Sequence, residues 1–318
     1  MTTAAAMPTG STVASVSSTA VPSGPTVTVE ESARLHRRHR NRTNVRSVVF
    51  HVLALALVVV ILYPAVWMLV SAFKPTADIV GNVSLIPKDA SFDNFAKALQ
   101  GIGGVSFWRF FTNSLILALG SVIGITLSCS VSAYAFARIE FPGRNVFFAL
   151  MIGTLLLPFH VVIIPQYIVF SRLHLVDTYV PLLIGKFLAA EAFFVFLMVQ
   201  FMRNLPRELD EAARIDGAGH VRIFRSIMLP LMKPALVTSS IFAFIWSWND
   251  FFGPLIYLSK PNLYSLPVAL RLFVDQTTTS DYGAQMAMAV LALVPVLLFF
   301  LIFQRYLVEG VATQGLKG

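Results

Sequence analysis

The apolar positions of this chain fall in long runs instead of the one-face stripes of a soluble fold, and the polar positions gather between the runs. A membrane helix needs about 20 mainly apolar residues to cross a hydrocarbon core about 30 Å thick. Six segments reach that length, near 48–71, 113–137, 146–170, 181–202, 234–258 and 285–307, and they predict an all-α integral membrane fold of six transmembrane helices. The second and third are joined by Glu140-Phe141-Pro142-Gly143-Arg144, where Pro142 and Gly143 supply a tight turn. Between the fourth and fifth lies a polar, helix-forming segment, 203–233. Connections between packed helices are usually short, so a segment of this length reads as a docking element.

Within it, residues 205–217 predict a short helix. Pro206 fits the first turn, where its missing N–H would be unpaired anyway. Glu208, Asp210 and Glu211 put negative charge at the positive helix start. Asp210 and Arg214 stand four apart in acid-first order, an intrahelical pair worth about 0.2–0.5 kcal/mol. Leu209, Ala212, Ala213 and Asp216 share a small, weakly apolar face, and Gly217 ends the helix by adopting the left-handed conformation. A second helix, about 219–229, carries the stripe Val221, Phe224, Ile227 and Met228, and Pro230 and Pro234 part it from the fifth span. A helix lying on the bilayer would need a stronger apolar face than residues 205–217 offer. The prediction is an exposed elbow hinged at Gly217.

Composition agrees with lipid as the solvent. The 318 residues are 56% hydrophobic and 13% charged, and a soluble domain is about a quarter charged. The formal charge of +8 is concentrated in a few segments, so it reads as topology and not as nucleic-acid binding. Arg34, Arg37, Arg38, Arg40, Arg42 and Arg46 form a basic collar before the first span. Arg203, Arg207, Arg214, Arg222, Arg225 and Lys233 crowd the 203–233 segment. With the N-terminal tail inside, sixteen Lys and Arg fall in cytoplasmic segments and seven in the outside loops, a bias consistent over every loop except the longer outside loop 74–112, and both termini lie in the cytoplasm. Residues 1–46 are expected to be a disordered tail ending in the collar, 47–318 a transmembrane domain, and 308–318 a cytoplasmic C-terminal tail. Cys129 alone makes no disulfide, no Cys/His metal spacing exists, and no cofactor is expected. No phosphate-cradling Gly-x-x-x-x-Gly-Lys-Ser/Thr loop is present, since Gly185-Lys186 runs into Phe187. An energised transporter built on this chain would take its ATPase from another polypeptide.

The spacing Glu211-Ala212-Ala213, three residues, Gly217, nine residues, Ile227-x-Leu229-Pro230 resembles the EAA loop of bacterial ABC-importer permeases. Pro206-Arg207-Glu208-Leu209-Asp210, Phe111-Thr112-Asn113-Ser114-Leu115, Trp248-Asn249-Asp250-Phe251 and the tail from Val308 resemble the carbohydrate-uptake branch, and within it the maltose permease G type. The tail departs by carrying Leu316 where that family often has Ala-Val. The resemblance covers roughly 47–318. It implies the type I importer permease fold and a non-enzymatic translocation subunit whose EAA loop is a coupling helix, seated in a groove of an ATP-hydrolysing subunit. Glu211, Ala212, Ala213, Asp216 and Gly217 are the coupling residues so implied. The implied partners are a second related permease, an ATPase dimer, an extracytoplasmic sugar-binding protein, the sugar and the lipid membrane, with no nucleic acid.

Ionisable groups within spans are costly and often functional. His160, Lys186, Glu191 and Asp250 are such groups, with Asn249 beside them. Lys186 and Glu191 lie five apart, about 140° around a helix, and are not predicted to pair within one. Asn249, Asp250 and Trp248 are candidates for a solute path; interhelical hydrogen bonding and aromatic packing are the alternative roles. An ion-coupled secondary transporter would use Lys186, Glu191 and Asp250, but the internal repeat common in such proteins is missing. A membrane enzyme would need catalytic groups converging in a cleft, and the spans offer no such set.

Overall fold

The computed structural model describes the backbone of residues 29–81, 84–87, 89–274 and 280–315, and the side chains of those between 47 and 304. The regular elements among the described residues are all helices, with one isolated antiparallel bridge, Ile102 to Val105, and no strand. The helices in order are α1 Val29–Ser71, α2 Thr76–Ile79, α3 Asp93–Gln100, α4 Phe107–Arg138, α5 Arg144–Thr154, α6 Phe159–Arg172, α7 Val180–Phe187, α8 Ala192–Arg203, α9 Glu208–Ile215, α10 His220–Ile223, α11 Leu229–Leu231, α12 Lys233–Trp248, α13 Phe252–Tyr257, α14 Leu266–Leu272 and α15 Tyr282–Gly315. The chain divides into two compact units at Tyr63–Pro64.

Helix α1 starts at Val29, so residues 29–46, expected to lack structure, continue the first span as helix. The reason is cooperativity: once an apolar span is helical, each added residue forms one more bond without a new nucleus, and Arg and Glu are good helix formers. Residues 1–28 lie outside the described ones. Among the described residues, four helical stretches are long and apolar enough to cross a membrane: Ser47–Ser71, Phe107–Arg138, Val180–Arg203 and Tyr282–Gln304. Two bent pairs, Arg144–Thr154 with Phe159–Arg172 (100°) and His220–Leu231 with Lys233–Trp248 (75°), bring the number to six if each is one span. The first bend falls at Pro158, whose ring cannot continue the preceding helix.

Helix α4 is the centre of the second unit and packs against α12, α8 and α7, while α15 packs against α12 and α3. Its inward face is lined by small and polar residues, among them Asn113, Ser114, Ser121, Gly124 and Ser130. Small residues let backbones approach closely, which is how membrane helices associate without a hydrophobic drive between them. At Gly124 an added Cβ would lie 2.9 Å from the Phe187 ring and 3.1 Å from the Lys186 carbonyl carbon. The polar groups on this face satisfy backbone that the breaks leave open. Asn113 Nδ2 donates to the Asn262 and Tyr264 carbonyls, both at 2.9 Å, and Ser114 Oγ accepts from Leu266 N–H at 2.8 Å. Ser128 Oγ donates to the Lys186 carbonyl at 2.6 Å and accepts from Ala189 N–H at 3.2 Å, spanning the break between α7 and α8.

Candidate functional site

The 203–233 segment folds as an elbow. Helix α9 runs Glu208–Ile215 and closes on Gly217 at φ +80°. Gly217 N–H reaches the Arg214 carbonyl at 3.0 Å and Ala218 N–H the Ala213 carbonyl at 2.9 Å, the paired bonds that satisfy a helix end turned by a left-handed residue. The second limb is α10, one π-helical turn Phe224–Met228, and α11. Ile223 and Met228 anchor this limb in the core. At the tip the opposite holds: Ile215 is 87% exposed and Val221 80%. Covering a side chain of that size is worth about 1.5–3 kcal/mol, so the tip is a surface that gains by being docked.

Only Asp210 and Ala213 of α9 are buried. Asp210 does not pair with Arg214 as its spacing predicts. Its Oδ2 meets Arg138 Nη1 at 3.1 Å, with the side chains 10% and 3% exposed. The buried guanidinium outcompetes Arg214, which stays exposed, because a solvated intrahelical pair is worth so little. Arg138 Nη2 also donates to the Met202 and Leu205 carbonyls at 2.7 and 2.9 Å. Ala213 packs into the apolar cluster formed with Tyr134, Met202 and Ile223, while Glu211, Ala212, Asp216 and Gly217 face outward.

Further along α4 a cavity of about 430 Å³ opens among α4, α6, α7, α8, α12 and α13. Ser121, Gln166, Lys186, Glu191, Ser247 and Asp250 supply its polar lining, and Phe159, Trp246 and Tyr257 its aromatic lining. Lys186 Nζ and Glu191 form an ion pair. The expectation that they stay apart assumed one continuous helix; α7 ends at Phe187, Ala189 takes φ +54°, and the chain turns the two side chains toward each other. Asp250 Oδ1 accepts from Gly253 N–H at 3.0 Å. A Cβ at Gly253 would lie 2.6 Å from the other carboxylate oxygen, so any larger residue there would have to displace the Asp250 side chain.

Residues 120–313 match the family described as the binding-protein-dependent transport system inner membrane component. The chain belongs to this family. The arabinooligosaccharides transport system permease protein AraQ of Halalkalibacterium halodurans is 34% identical, over 80% of this chain and 91% of that protein. The diacetylchitobiose uptake system permease protein NgcG of Streptomyces coelicolor is 32% identical, over 83% and 87%. The sn-glycerol-3-phosphate transport system permease protein UgpE of Brucella abortus is 32% identical, over 84% and 96%. In fold, a chain of a bacterial ABC transporter involved in the import of the acidic polysaccharide alginate superposes with a TM-score of 0.73, over 83% of this chain and 96% of that one, at 24% identity.

This inner membrane component is thus a multi-pass transport subunit, not an enzyme. Of its three candidate path residues, the cavity takes only Asp250. Trp248 is buried in the core instead: Nε1 donates to the Ala292 carbonyl at 3.0 Å and the ring stacks on Phe244. Asn249 is exposed and returns its amide to the Ile245 carbonyl at 2.9 Å. Trp246 is the tryptophan in the lining, set against Phe193 and Phe194. Residues two apart on a helix point about 200° apart, so one tryptophan must face away; the sequence does not say which. Arg138 is not among the predicted site residues, although an arginine closing a long apolar helix is a signal that it caps carbonyls nearby.

Proposed function

We propose that this chain is one of two permease subunits of an ATP-driven, binding-protein-dependent sugar importer, with the elbow as its coupling element. The observation that carries the reading is the elbow itself. A family of binding-protein-dependent transport components supplies the context, and the exposed Ile215 and Val221 supply a docking tip on an otherwise polar segment. Relatives named for arabinooligosaccharide and diacetylchitobiose transport support a carbohydrate as solute. Glu211, Ala212, Asp216 and Gly217 meet a separate ATPase subunit, and Ala213 seats the helix from behind. The ATPase pair closes on ATP and moves the elbow, and the spans rock between inward-open and outward-open states as largely rigid bodies. Both termini and the elbow lie in the cytoplasm, and the C-terminal tail joins the ATPase contact. A second, related permease completes the path, on which Asp250 and the cavity around it lie, and an external binding protein delivers the sugar.

The deciding experiment is ATP-dependent uptake by proteoliposomes holding the complex purified through a tag on this chain. Gly217→Pro should insert and assemble, yet abolish solute-stimulated ATP hydrolysis; full stimulation in that variant overturns the role of the elbow. Labelling of Ile215→Cys in intact cells by an impermeant thiol reagent would place the elbow outside and end the reading. The solute is named by thermal shift of the co-isolated binding protein against a sugar panel, because a ligand that binds only the folded form raises its melting point.

A further inference from the structure

We propose that Arg138 is a positioning residue that makes the elbow move as one piece with the ends of α4 and α8, so that displacement of α9 reaches the cavity. The proposal rests on the coupling role given to the elbow above.

The guanidinium bonds carry the inference. Arg138 is the last residue of α4, Met202 lies in the last turn of α8, and Asp210 lies in the first turn of α9. One planar group therefore ties three helix ends that the chain itself joins only through loops. Its Nη1 holds the Asp210 carboxylate at 3.1 Å, and its Nη2 holds the Met202 and Leu205 carbonyls at 2.7 and 2.9 Å. The Met202 carbonyl lies in the last turn of α8 and also accepts from Leu205 N–H at 3.1 Å, and the Leu205 carbonyl lies in the connection from α8 to α9. A guanidinium presents several donors in a rigid fork and can hold all three acceptors at fixed angles, whereas an ammonium is a point charge on a flexible stem.

What else holds α9 is slight. Ala213 contributes one methyl group, and the other buried residue of this helix is Asp210 itself. The anchors Ile223 and Met228 belong to the second limb, beyond Gly217. Without the Arg138 contact, α9 could shift without carrying α4 or α8 with it. With it, α4 and α8 follow, and both line the cavity, through Ser121 and Ile125 on α4 and Phe194 on α8. A buried ion pair is not needed for stability, since apolar residues of similar volume commonly serve as well. What the pair adds is a fixed geometry among three elements, and that gives a test separable from folding.

The complex is purified from its host through a tag on this chain, so that its ATPase accompanies it, and placed in nanodiscs. In a Cys129→Ser background, Leu188→Cys carries an environment-sensitive fluorophore. This residue is exposed and lies between Lys186 and Ala190 of the cavity wall. The probe is ATP with vanadate. The parent should answer with a fluorescence change. Asp210→Asn and the apolar pair Arg138→Met with Asp210→Leu should lose about fivefold or more of its amplitude, the low end of measured couplings between sites, while the ATPase still co-purifies and still hydrolyses ATP. Asp210→Glu should keep the response. An apolar pair that assembles and answers as fully as the parent shows Arg138 to be packing alone and overturns the proposal. If neither variant assembles, Arg138→Lys decides by the same reading, because it keeps the charge and loses the fork; a full response there also overturns it. A parent that brings no ATPase, or gives no response, overturns the coupling reading itself and the clamp with it.

Discussion

Arg138–Asp210 and Lys97–Asp281 are both ion pairs that tie separate helices, and their surroundings differ. The first sits where α4, α8 and α9 meet, with its side chains 3% and 10% exposed. The second joins α3 to the start of α15, at 56% and 31%. Asp281 has other partners: Thr76 Oγ1 donates to Oδ1 at 2.8 Å and Ala284 N–H to the same oxygen at 3.0 Å. Asp210 Oδ1 and Arg138 Nε have no further hydrogen-bond partner among the described residues. Losing Lys97 leaves a carboxylate that is still bonded and wetted. Losing either member of the buried pair strands a charge out of water. At one site a single member can be removed at little cost, at the other only both together, and burial decides which.

The contrast can be broken most directly at Asp210. Asp210→Ala should cost about 3–5 kcal/mol, as expected for an unpaired buried charge, read as loss of resistance to SDS unfolding of the purified chain. A loss like that of Lys97→Ala would erase the distinction. Next comes Asn113→Ala, which removes the donor shared by the Asn262 and Tyr264 carbonyls. Leaving buried polar groups unmet costs about 1–3 kcal/mol, and hydrogen exchange should rise at residues 262–266 first. Gly217→Val should cost about 1–2 kcal/mol for a left-handed β-branched residue, with membrane insertion unchanged in a protease-protection assay. An unstrained valine there would mean that the hinge does not depend on glycine.

Lys97→Ala should be the mildest, at most about 1 kcal/mol, and its effect should fade in high salt. Acid sharpens this end of the comparison. Burial pushes the Asp281 carboxyl up, but the bonds from Ala284 N–H, Thr76 and Lys97 together outweigh it and hold the group below its ordinary value. A depressed carboxyl contributes stability above its unfolded value of about 3.9, and that stability is lost as pH falls through the folded value. Asp281→Asn should therefore flatten the stability profile on the acid side of about pH 4. A profile as steep as the parent's would assign that slope to other carboxylates.

The spans were legible because length and apolarity are local properties: four of the six predicted segments fall on helical stretches long enough to cross, 146–170 falls on a bent pair, and 234–258 falls on α12 and α13. The turn at Gly143 and the hinge at Gly217 were legible too, since both adopt the left-handed backbone that glycine permits, φ +79° and +80°. The bends were harder to read. A run of apolar residues looks the same whether its helix continues or breaks, and the break between α7 and α8 depends on Ser128, far away in sequence, to satisfy Lys186 and Ala189. For that reason the spacing of Lys186 and Glu191 predicts no contact between them. The spacing gives Asp210 a partner four residues away, Arg214, whereas its partner in the fold is Arg138.

Sequence alone determined that this protein lives in lipid, where it crosses, and that a polar elbow hinged at glycine interrupts the crossings. Hydrophobic run length and backbone preference are paid locally, residue by residue, so one strand of text carries them. Tertiary structure alone decided which charges meet, which tryptophan faces the cavity, and which face of α9 is held and which is offered. Those outcomes depend on how helix faces rotate against one another, and a buried charge settles on whichever partner that rotation brings within reach.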